Sequence, residues 1–229
     1  MSQKLKASLE QILAMPYFKN EAARSGTVKH GHEHALALVL SSNGFQHITG
    51  IKTSKYLGKK YDDQDWVASN YPDLTPGSFA VQPAGANNFP DFLIRDTCGR
   101  FLLMEAKSGN GTGISWNDNL PKPNVIYVFS SGSTDETTAF LGQDVIDDAQ
   151  RSLITDLRRD LDVLVERANN RLVTIDVFNR GWNFYPRPKF QQLQGRQARK
   201  SMLKIERVNY FIHADRRHCE SRALEFAGA

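Results

Sequence analysis

The chain has 229 residues, of which 40% are hydrophobic and 24% are charged, and its formal net charge at pH 7 is +4. These values are ordinary for a globular domain and exclude a chain that is disordered throughout. The two cysteines, Cys98 and Cys219, are too few for a disulfide framework and form no CxxC pair for zinc or redox chemistry. No stretch reaches the roughly 18 apolar residues of a membrane span, and the first residues lack the apolar centre of a signal peptide. We therefore expect a soluble, mildly basic protein of a reducing compartment.

The first part of the chain carries two helical patterns. Apolar residues recur at helical spacing from Leu5 to Leu13, and Pro16 is expected to end that helix. A second helix is predicted from Thr27 to Ser42, because Asn43-Gly44 is a typical C-terminal stop. Residues 50 to 90 lack strong periodicity and are predicted to form a long irregular region, which is often functional.

A β-hairpin is predicted next. Its strands are Phe92–Arg95 and Arg100–Lys107, joined by the turn Asp96–Gly99. The second strand is apolar on both faces, which is typical of a central strand covered on both sides. A glycine-rich loop runs from Ser108 to Gly113, and Val125–Phe129 is a further compact apolar strand.

The strongest helical pattern spans residues 143–168, where apolar residues repeat every fourth position. Arg171–Phe178 alternates as a strand, and the tail Gln191–Phe226 is expected to be partly helical. The order of these elements predicts an α/β fold in which a mixed central β-sheet is flanked by helices. We expect a single domain spanning residues 1–229.

Positive charge is concentrated near the C-terminus. Between Arg180 and Arg222, 11 Lys and Arg residues stand against three acidic residues, so this segment carries +8 and the remainder −4. The cations are interleaved with aromatic residues, which favours a surface for a polyanion. A solvated surface above a few core aromatics is the alternative. The acidic run from Asp135 to Glu166 is interpreted mainly as the solvent-exposed face of a helix.

The hairpin also carries the residues with the clearest chemistry. Asp91 opens its first strand, and Glu105-Ala106-Lys107 ends its second. Alternation places Glu105 and Lys107 on one face, and hairpin closure returns Asp91 beside them. A four-residue turn would pair Asp91 with Met104, one step out of register. We therefore expect a bulge or a splayed strand end.

Two convergent carboxylates, Asp91 and Glu105, are suited to binding a hard divalent cation such as Mg²⁺, with the Ala106 carbonyl as a further ligand. Such a metal polarises a phosphodiester and lowers the pKa of bound water. The Lys107 ammonium could position or deprotonate that water and stabilise the pentavalent phosphorus species. The alternative is that Glu105 and Lys107 form a structural ion pair at a sheet edge.

On these residues the chain resembles the PD-(D/E)xK nuclease superfamily, and in detail the type II restriction endonucleases. The resemblance spans roughly residues 80–130 and extends beyond the catalytic pattern to the segments Gln82-Pro83-Ala84-Gly85, Asn88-Phe89-Pro90-Asp91-Phe92 and Trp116-Asn117-Asp118-Asn119-Leu120-Pro121. It implies a restriction-endonuclease-like catalytic core over about residues 27–180 and a basic DNA-binding part over about 180–229.

The resemblance also assigns roles. It implies that Asp91 and Glu105 bind Mg²⁺ and that Lys107 is the catalytic lysine. The family often carries a glutamate on a helix before the hairpin, and Glu33 matches because it shares a helix face with Leu36 and Leu40. An ordinary exposed charge is the alternative for Glu33. The neighbouring histidines of HGHEH lack the spacing of a zinc site, so they are interpreted as a polar helix start.

Two further segments are candidates for DNA contact. The loop from Ser108 to Asn124 leaves the metal-binding strand and carries side chains able to contact bases or phosphate, namely Asn110, Thr112, Ser115, Asn117, Asn119 and Lys122. A mobile polar loop is the alternative. The tail residues assigned to phosphate positioning are Arg187, Lys189, Arg196, Arg199 and Lys200.

These observations predict an Mg²⁺-dependent type II restriction endonuclease that cleaves double-stranded DNA at a short palindromic sequence. A palindrome requires a two-fold symmetric reader, so we expect a homodimer, located in a prokaryotic cytoplasm. One alternative is a repair or recombination nuclease that recognises DNA structure with the same core. Another is a non-catalytic DNA-binding module whose carboxylates are structural.

Overall fold

The structure is a computed structural model that describes residues 3–17, 31–85, 88–117, 120–185, 189–191, 210–211 and 215–229. The helices in these residues are α1 (Gln3–Leu13), α2 (Gly31–Ser42), α3 (Leu57–Lys60), α4 (Gln64–Asn70), α5 (Asp148–Ile175) and α6 (Arg216–Gly228). The strands are β1 (Gln46–His47), β2 (Ser78–Val81), β3 (Phe92–Arg95), β4 (Phe101–Gly109), β5 (Ser115–Asn117), β6 (Val125–Ser131), β7 (Glu136–Leu141) and β8 (Lys189–Gln191).

Six of these strands form one sheet in the order β1-β2-β3-β4-β6-β7. The pairs β1/β2 and β4/β6 are parallel, whereas β2/β3, β3/β4 and β6/β7 are antiparallel. Strands β5 and β8 pair separately as an antiparallel ribbon. The predicted α/β fold with a mixed central sheet and flanking helices is therefore confirmed.

Alternation along β4 builds a core on each face of the sheet. Leu102 and Met104 lie in a cluster with residues of α1, α2 and α6, whereas Phe101 and Leu103 lie in a second cluster with residues of α3, α4 and β5. Each large side chain buried in this way contributes about 1.5–3 kcal/mol relative to exposure. The prediction that β4 is central and covered on both sides is confirmed.

The segment from residue 50 to 90 is more regular than its sequence predicts. It contains α3, α4 and β2, so the expectation of a long irregular region was wrong for these three elements, and most of the remaining described residues of the segment are irregular as predicted. The side chain of Asp63 accepts a 3.0 Å hydrogen bond from the backbone nitrogen of Trp66 and caps α4. These short elements depend on burying residues such as Leu57 and Tyr71, which weak local periodicity does not reveal.

The predicted strand Arg171–Phe178 was also wrong, because α5 continues to Ile175. Leu164, Ala168 and Leu172 keep helical spacing into this region, so its alternation of side chains was ambiguous. Helix α5 begins later than predicted, with a capping box between Asp147 and Gln150.

The beginning of the acidic run forms β7 and not the exposed face of a helix. Strand β7 pairs antiparallel with β6, and Thr137 and Thr138 are buried. Thr138 Oγ1 donates a 2.7 Å hydrogen bond to Glu220, which ties β7 to α6. Among the described residues, no helix combines the length and apolar character needed to cross a membrane.

Candidate active site

The register of the β3/β4 hairpin decides where the candidate catalytic residues lie. Arg95 pairs with Phe101 and Phe92 pairs with Met104, so the connecting loop has one residue more than predicted. Continuing this register places Asp91 opposite Glu105. The expected mismatch between Asp91 and Met104 was therefore wrong, and the two acids meet without the bulge that a shorter turn would require.

The loop closes through one buried acid. Asp96 Oδ1 accepts hydrogen bonds from the backbone nitrogens of Cys98 and Arg100, at 2.8 and 2.9 Å. Gly99 adopts a φ of +90°, a conformation that glycine allows at little steric cost. These interactions set the loop length and with it the pairing of the strand ends.

Three hydrogen bonds join the residues at those strand ends. The backbone nitrogen of Asp91 donates to Glu105 Oε2 at 3.0 Å, and the backbone nitrogen of Ala106 donates to Asp91 Oδ2 at 2.8 Å. The ammonium of Lys107 donates to Glu105 Oε1 at 2.7 Å. The structure thus brings together the two predicted carboxylates and the predicted lysine.

Electrostatics disfavour a charged Asp91 in this cluster. Burial raises the pKa of Asp91 to about 7, and the negative charges of Glu105 and Glu33 act in the same direction. The Ala106 N–H and the Lys107 cation oppose this increase in pKa. Glu105 is itself 8% exposed, so both acids lie in surroundings that screen their repulsion poorly.

Glu33 reaches this neighbourhood from α2. Its Oε2 accepts a 3.1 Å hydrogen bond from Gln82 Nε2, and the backbone nitrogen of Gln82 donates to the Asp91 carbonyl at 2.7 Å. Gln82 has a φ of +50°, a left-handed conformation that a non-glycine residue adopts at a cost. The sequence alone predicted no site role for Gln82, although this residue begins one of the segments that carry the family resemblance.

His32 is a second residue whose structural role could not be predicted from the sequence. Its Nε2 lies 2.9 Å from Ser130 Oγ, and Ser130 Oγ lies 2.7 Å from Thr137 Oγ1. Burial lowers the pKa of His32 to about 4. The imidazole is therefore neutral near pH 7 and ties the start of α2 to β6, which pairs with β4.

The described residues place two carboxylates, those of Asp91 and Glu105, at the centre of this cluster. Within the described part of the chain, no group of three or more His, Cys, Asp or Glu side chains is arranged to hold a metal ion. The carboxylates of Asp91 and Glu105 form a two-acid set, which is compatible with a hard cation that keeps several waters.

The candidate DNA-contact loop is partly ordered by pairing. Ser115 lies opposite Gln191 and Asn117 lies opposite Lys189 in the β5/β8 ribbon. Asn110 is exposed at the end of β4, and the carbonyl of Thr112 accepts a 3.2 Å hydrogen bond from the Tyr210 nitrogen. Part of the predicted loop is therefore a short ribbon that leaves the strand of Glu105 and Lys107.

Lys122 lies against aromatic side chains of the protein. Its ammonium is 5.1 Å from the ring centroid of Tyr61 and 5.4 Å from that of Phe89. Its backbone nitrogen donates to the hydroxyl of Tyr127 at 2.8 Å, and burial lowers the pKa of its side chain. Lys122 thus packs against aromatic rings that border the second core cluster, the one formed with residues of α3, α4 and β5.

Several predicted contact residues lie outside the described residues, and they are Asn119, Arg187, Arg196, Arg199 and Lys200. The side chains of Ser115, Asn117 and Lys189 lie outside them as well. Two described cations of the basic tail form internal ion pairs. Arg216 contacts Glu220 at 2.8 Å as well as Glu136, and Arg222 contacts Asp144.

Taken together, the cluster offers two acids able to share a cation and one amine able to hold a proton or a negative charge. Comparison with known proteins finds no matching family model, no matching curated protein and no matching solved structure. The interpretation of this site therefore depends on the geometry of Asp91, Glu105 and Lys107.

Proposed function

We propose that this protein is a Mg²⁺-dependent endonuclease of the type II restriction kind, which cleaves double-stranded DNA at a short palindromic sequence. The observation that carries the proposal is the contact of Asp91, Glu105 and Lys107 at the ends of two adjacent strands. Two acids and one amine on so short and buried a frame form a donor set that can support metal-dependent phosphodiester hydrolysis.

A divalent cation fits this donor set. The pKa of Asp91 is raised to about 7 because burial and two neighbouring acids disfavour its charge, and a cation would relieve that penalty. Asp91 and Glu105 would hold Mg²⁺, with the Ala106 carbonyl as a further oxygen ligand. When bound, Mg²⁺ supplies polarisation of the phosphodiester and acidification of a coordinated water.

Lys107 has the remaining role in the proposed reaction. Its ammonium lies 2.7 Å from Glu105 Oε1, which restrains it beside the carboxylate pair. From there it can orient the attacking water, and its positive charge can stabilise the negative charge that develops on the phosphoryl oxygens. Glu33 is the further candidate catalytic acid, and it contributes negative charge to the cluster from the side of α2.

DNA contact is assigned to the segments nearest the site. Asn110, Thr112, Ser115 and Asn117 follow Lys107 directly along the chain, and the ribbon pairs β5 with the backbone of Lys189. The concentration of cations in the C-terminal part favours phosphate contacts there. A palindromic target requires two copies of the chain, so the proposal includes a homodimer.

The experiment is digestion of a set of sequenced plasmids that covers all short palindromes. We expect discrete bands with Mg²⁺, and none with a chelator or with the Lys107→Ala variant. Smears or cleavage only at junctions would instead indicate a nuclease that recognises DNA structure. Salt-sensitive DNA binding without cleavage of any plasmid would reject the endonuclease and favour a non-catalytic DNA-binding module.

A further inference from the structure

Helix α5 is long and leaves most of its apolar side chains exposed. It has 28 residues, none of which is buried, and a helix of that length extends about 42 Å. Leu153 is 72% exposed and Leu164 is 56% exposed. Helices in proteins depend mostly on packing of an apolar face for their stability, so a helix of this kind requires a partner.

The exposed apolar surface is concentrated in this part of the molecule. Among the described residues, every exposed large hydrophobic side chain other than Leu38 and Tyr56 lies between Leu153 and Tyr185. The side chain of Asn169 bonds the backbone nitrogen and carbonyl of Phe184 at 2.7 and 2.9 Å, which holds the returning chain against the helix. We call residues 148–185 the arm.

Six apolar residues of α5 follow a heptad pattern that Arg171 completes, whereas Leu153, Val163, Val165, Leu172 and Val173 lie outside it. Alternating steps of three and four residues connect its seam residues, which are Ile154, Leu157, Leu161, Leu164, Ala168, Arg171 and Ile175. This spacing is the signature of a helix that packs along another helix. Asp160 and Arg167 lie one heptad apart on the same border of the seam, at positions whose charges set partner choice and orientation.

We propose that the arm is the interface of a homodimer in which the α5 helices of two copies pack antiparallel about a two-fold axis. Such an axis near Asp162 places Leu161 against Leu164 of the partner subunit. It also places Asp160 beside Arg167 of the partner subunit, and symmetry creates this ion pair twice. Because the axis lies near the middle of α5, the two helices overlap along almost their full length.

The charges select the antiparallel orientation. In a parallel pair each seam residue would face its own copy, so Arg171 would lie against Arg171 of the partner subunit. In the antiparallel pair Arg171 lies across from Ile154 of the partner subunit, and its aliphatic part can pack there while the guanidinium reaches water. Asp160 and Arg167 find opposite charges in the antiparallel arrangement alone.

Charge also indicates which partner covers the arm, a second copy of the chain or another segment of the same chain. Residues 192–209 carry Arg196, Arg199, Lys200, Lys204 and Arg207 against Glu206, a net charge of +4. A segment of that charge complements Asp160 but repels Arg167. A second copy of α5 complements both residues, so the arm favours self-association.

The test measures the molar mass of the full chain by light scattering or sedimentation, without DNA or metal. We expect twice the chain mass of 25.8 kDa. Asp160→Arg and Arg167→Asp should each raise the dimer dissociation constant at least tenfold, because each places like charges together. An equimolar mixture of the two variants, and the double variant D160R/R167D, should both recover the wild-type mass.

A matched control lies on the opposite side of the same helix. Asp156 and Arg159 form a 3.1 Å ion pair within α5 and do not border the seam. The exchange D156R/R159D should leave the dimer unchanged, and circular dichroism should show equal helix content in all variants. A monomeric wild-type chain would overturn the proposal. The proposal would also be overturned if both single variants and a Leu161→Asp/Leu164→Asp variant remained dimeric. This interface specifies how the homodimer of the proposed function is built. A failure of the interface appears in the molar mass, whereas a failure of the nuclease chemistry appears in the plasmid digest, so the two outcomes are distinguishable.

Discussion

The backbone nitrogen of Ala106 donates a 2.8 Å hydrogen bond to Oδ2 of Asp91, so the strand that carries Glu105 and Lys107 also orients the acid of its neighbour. In return the backbone nitrogen of Asp91 donates to Glu105. These reciprocal bonds hold the two carboxylates together before any cation binds. The two negative charges are therefore held close together in the folded protein, and their mutual repulsion contributes to the raised pKa of Asp91.

Replacing Asp91 with Asn should stabilise the metal-free protein at alkaline pH. The pKa of Asp91 rises from an ordinary 3.8 to about 7 on folding, because burial and Glu105 disfavour its charge. The folded state therefore binds more protons than the unfolded state between these values, and stability falls as pH rises through that window. Urea unfolding at pH 8 should show D91N more stable than wild type by about 1–3 kcal/mol, with little difference at pH 4.

The exposed Asp73 is the matched control for this change, because it also follows a proline and lies outside the cluster. Asp73→Asn should leave the free energy of unfolding unchanged at both pH values. Addition of Mg²⁺ should raise the melting temperature of wild type and of D73N but not that of D91N. A D91N variant that is less stable than wild type at pH 8 without metal would contradict the electrostatic interpretation.

Replacing Lys107 with Ala should abolish most cleavage while the fold is retained. The amine is held beside Glu105 and its side chain is 27% exposed, so its removal leaves no large cavity. We expect the rate of plasmid cleavage to fall by about 10²–10⁴-fold, the range for loss of a positioned acid or base. Lys59, exposed on α3, is the control, and K59A should cleave like wild type. Cleavage by K107A at the wild-type rate would remove Lys107 from the proposed mechanism.

His32 should make the protein less stable in acid. Burial lowers the pKa of His32 from 6.5 to about 4. Between these pH values the unfolded chain is protonated at His32, whereas the folded chain is not. The contribution of His32 to the free energy of unfolding is therefore lost as the pH falls from 6.5 to about 4. The contribution of Asp91 has the opposite dependence and is lost as the pH rises. His32→Gln should be destabilised less than wild type between pH 7 and pH 5 in urea unfolding. The exposed His34→Gln should follow wild type, and identical pH dependence in H32Q would contradict the burial of a neutral imidazole.

Gly142 should tolerate no side chain. A Cβ at this position would lie 2.0 Å from the Lys122 carbonyl oxygen, and a backbone atom cannot move aside as a side chain can. Gly142→Ala should lower the free energy of unfolding by about 2–4 kcal/mol, as measured by thermal or urea unfolding. Gly58 in α3 is the control, because a Cβ there meets its nearest heavy atoms at 3.5 and 3.6 Å. Equal stability of G142A and G58A would contradict this close approach.

The sequence predicted the hairpin and the three residues of the site, but not the way that they meet. Alternation placed Glu105 and Lys107 on one face, and the structure confirms the pairing of β3 with β4. The register depended on the hydrogen bonds of Asp96, which lengthen the loop by one residue. A turn of this kind is decided by side-chain contacts that residue type alone does not reveal.

Contacts between residues far apart in the chain could not be predicted from the sequence. Gln82 and Glu33 are 49 positions apart, and His32 and Ser130 are 98 positions apart, yet each pair is within hydrogen-bond distance. Helix α5 extends over part of the predicted strand Arg171–Phe178. The residues around Leu172 fit the period of a helix and the period of a strand equally well, so the sequence could not distinguish the two.

By itself the sequence determined the chemical groups of the candidate site and the strands that carry them, since strand alternation and turn residues act over a few positions. Tertiary structure alone decided that Asp91 faces Glu105, that Glu33 adds its charge to theirs, and that most apolar side chains of α5 are exposed. These outcomes depend on which distant elements pack together, and packing energy is summed over contacts that no local pattern contains.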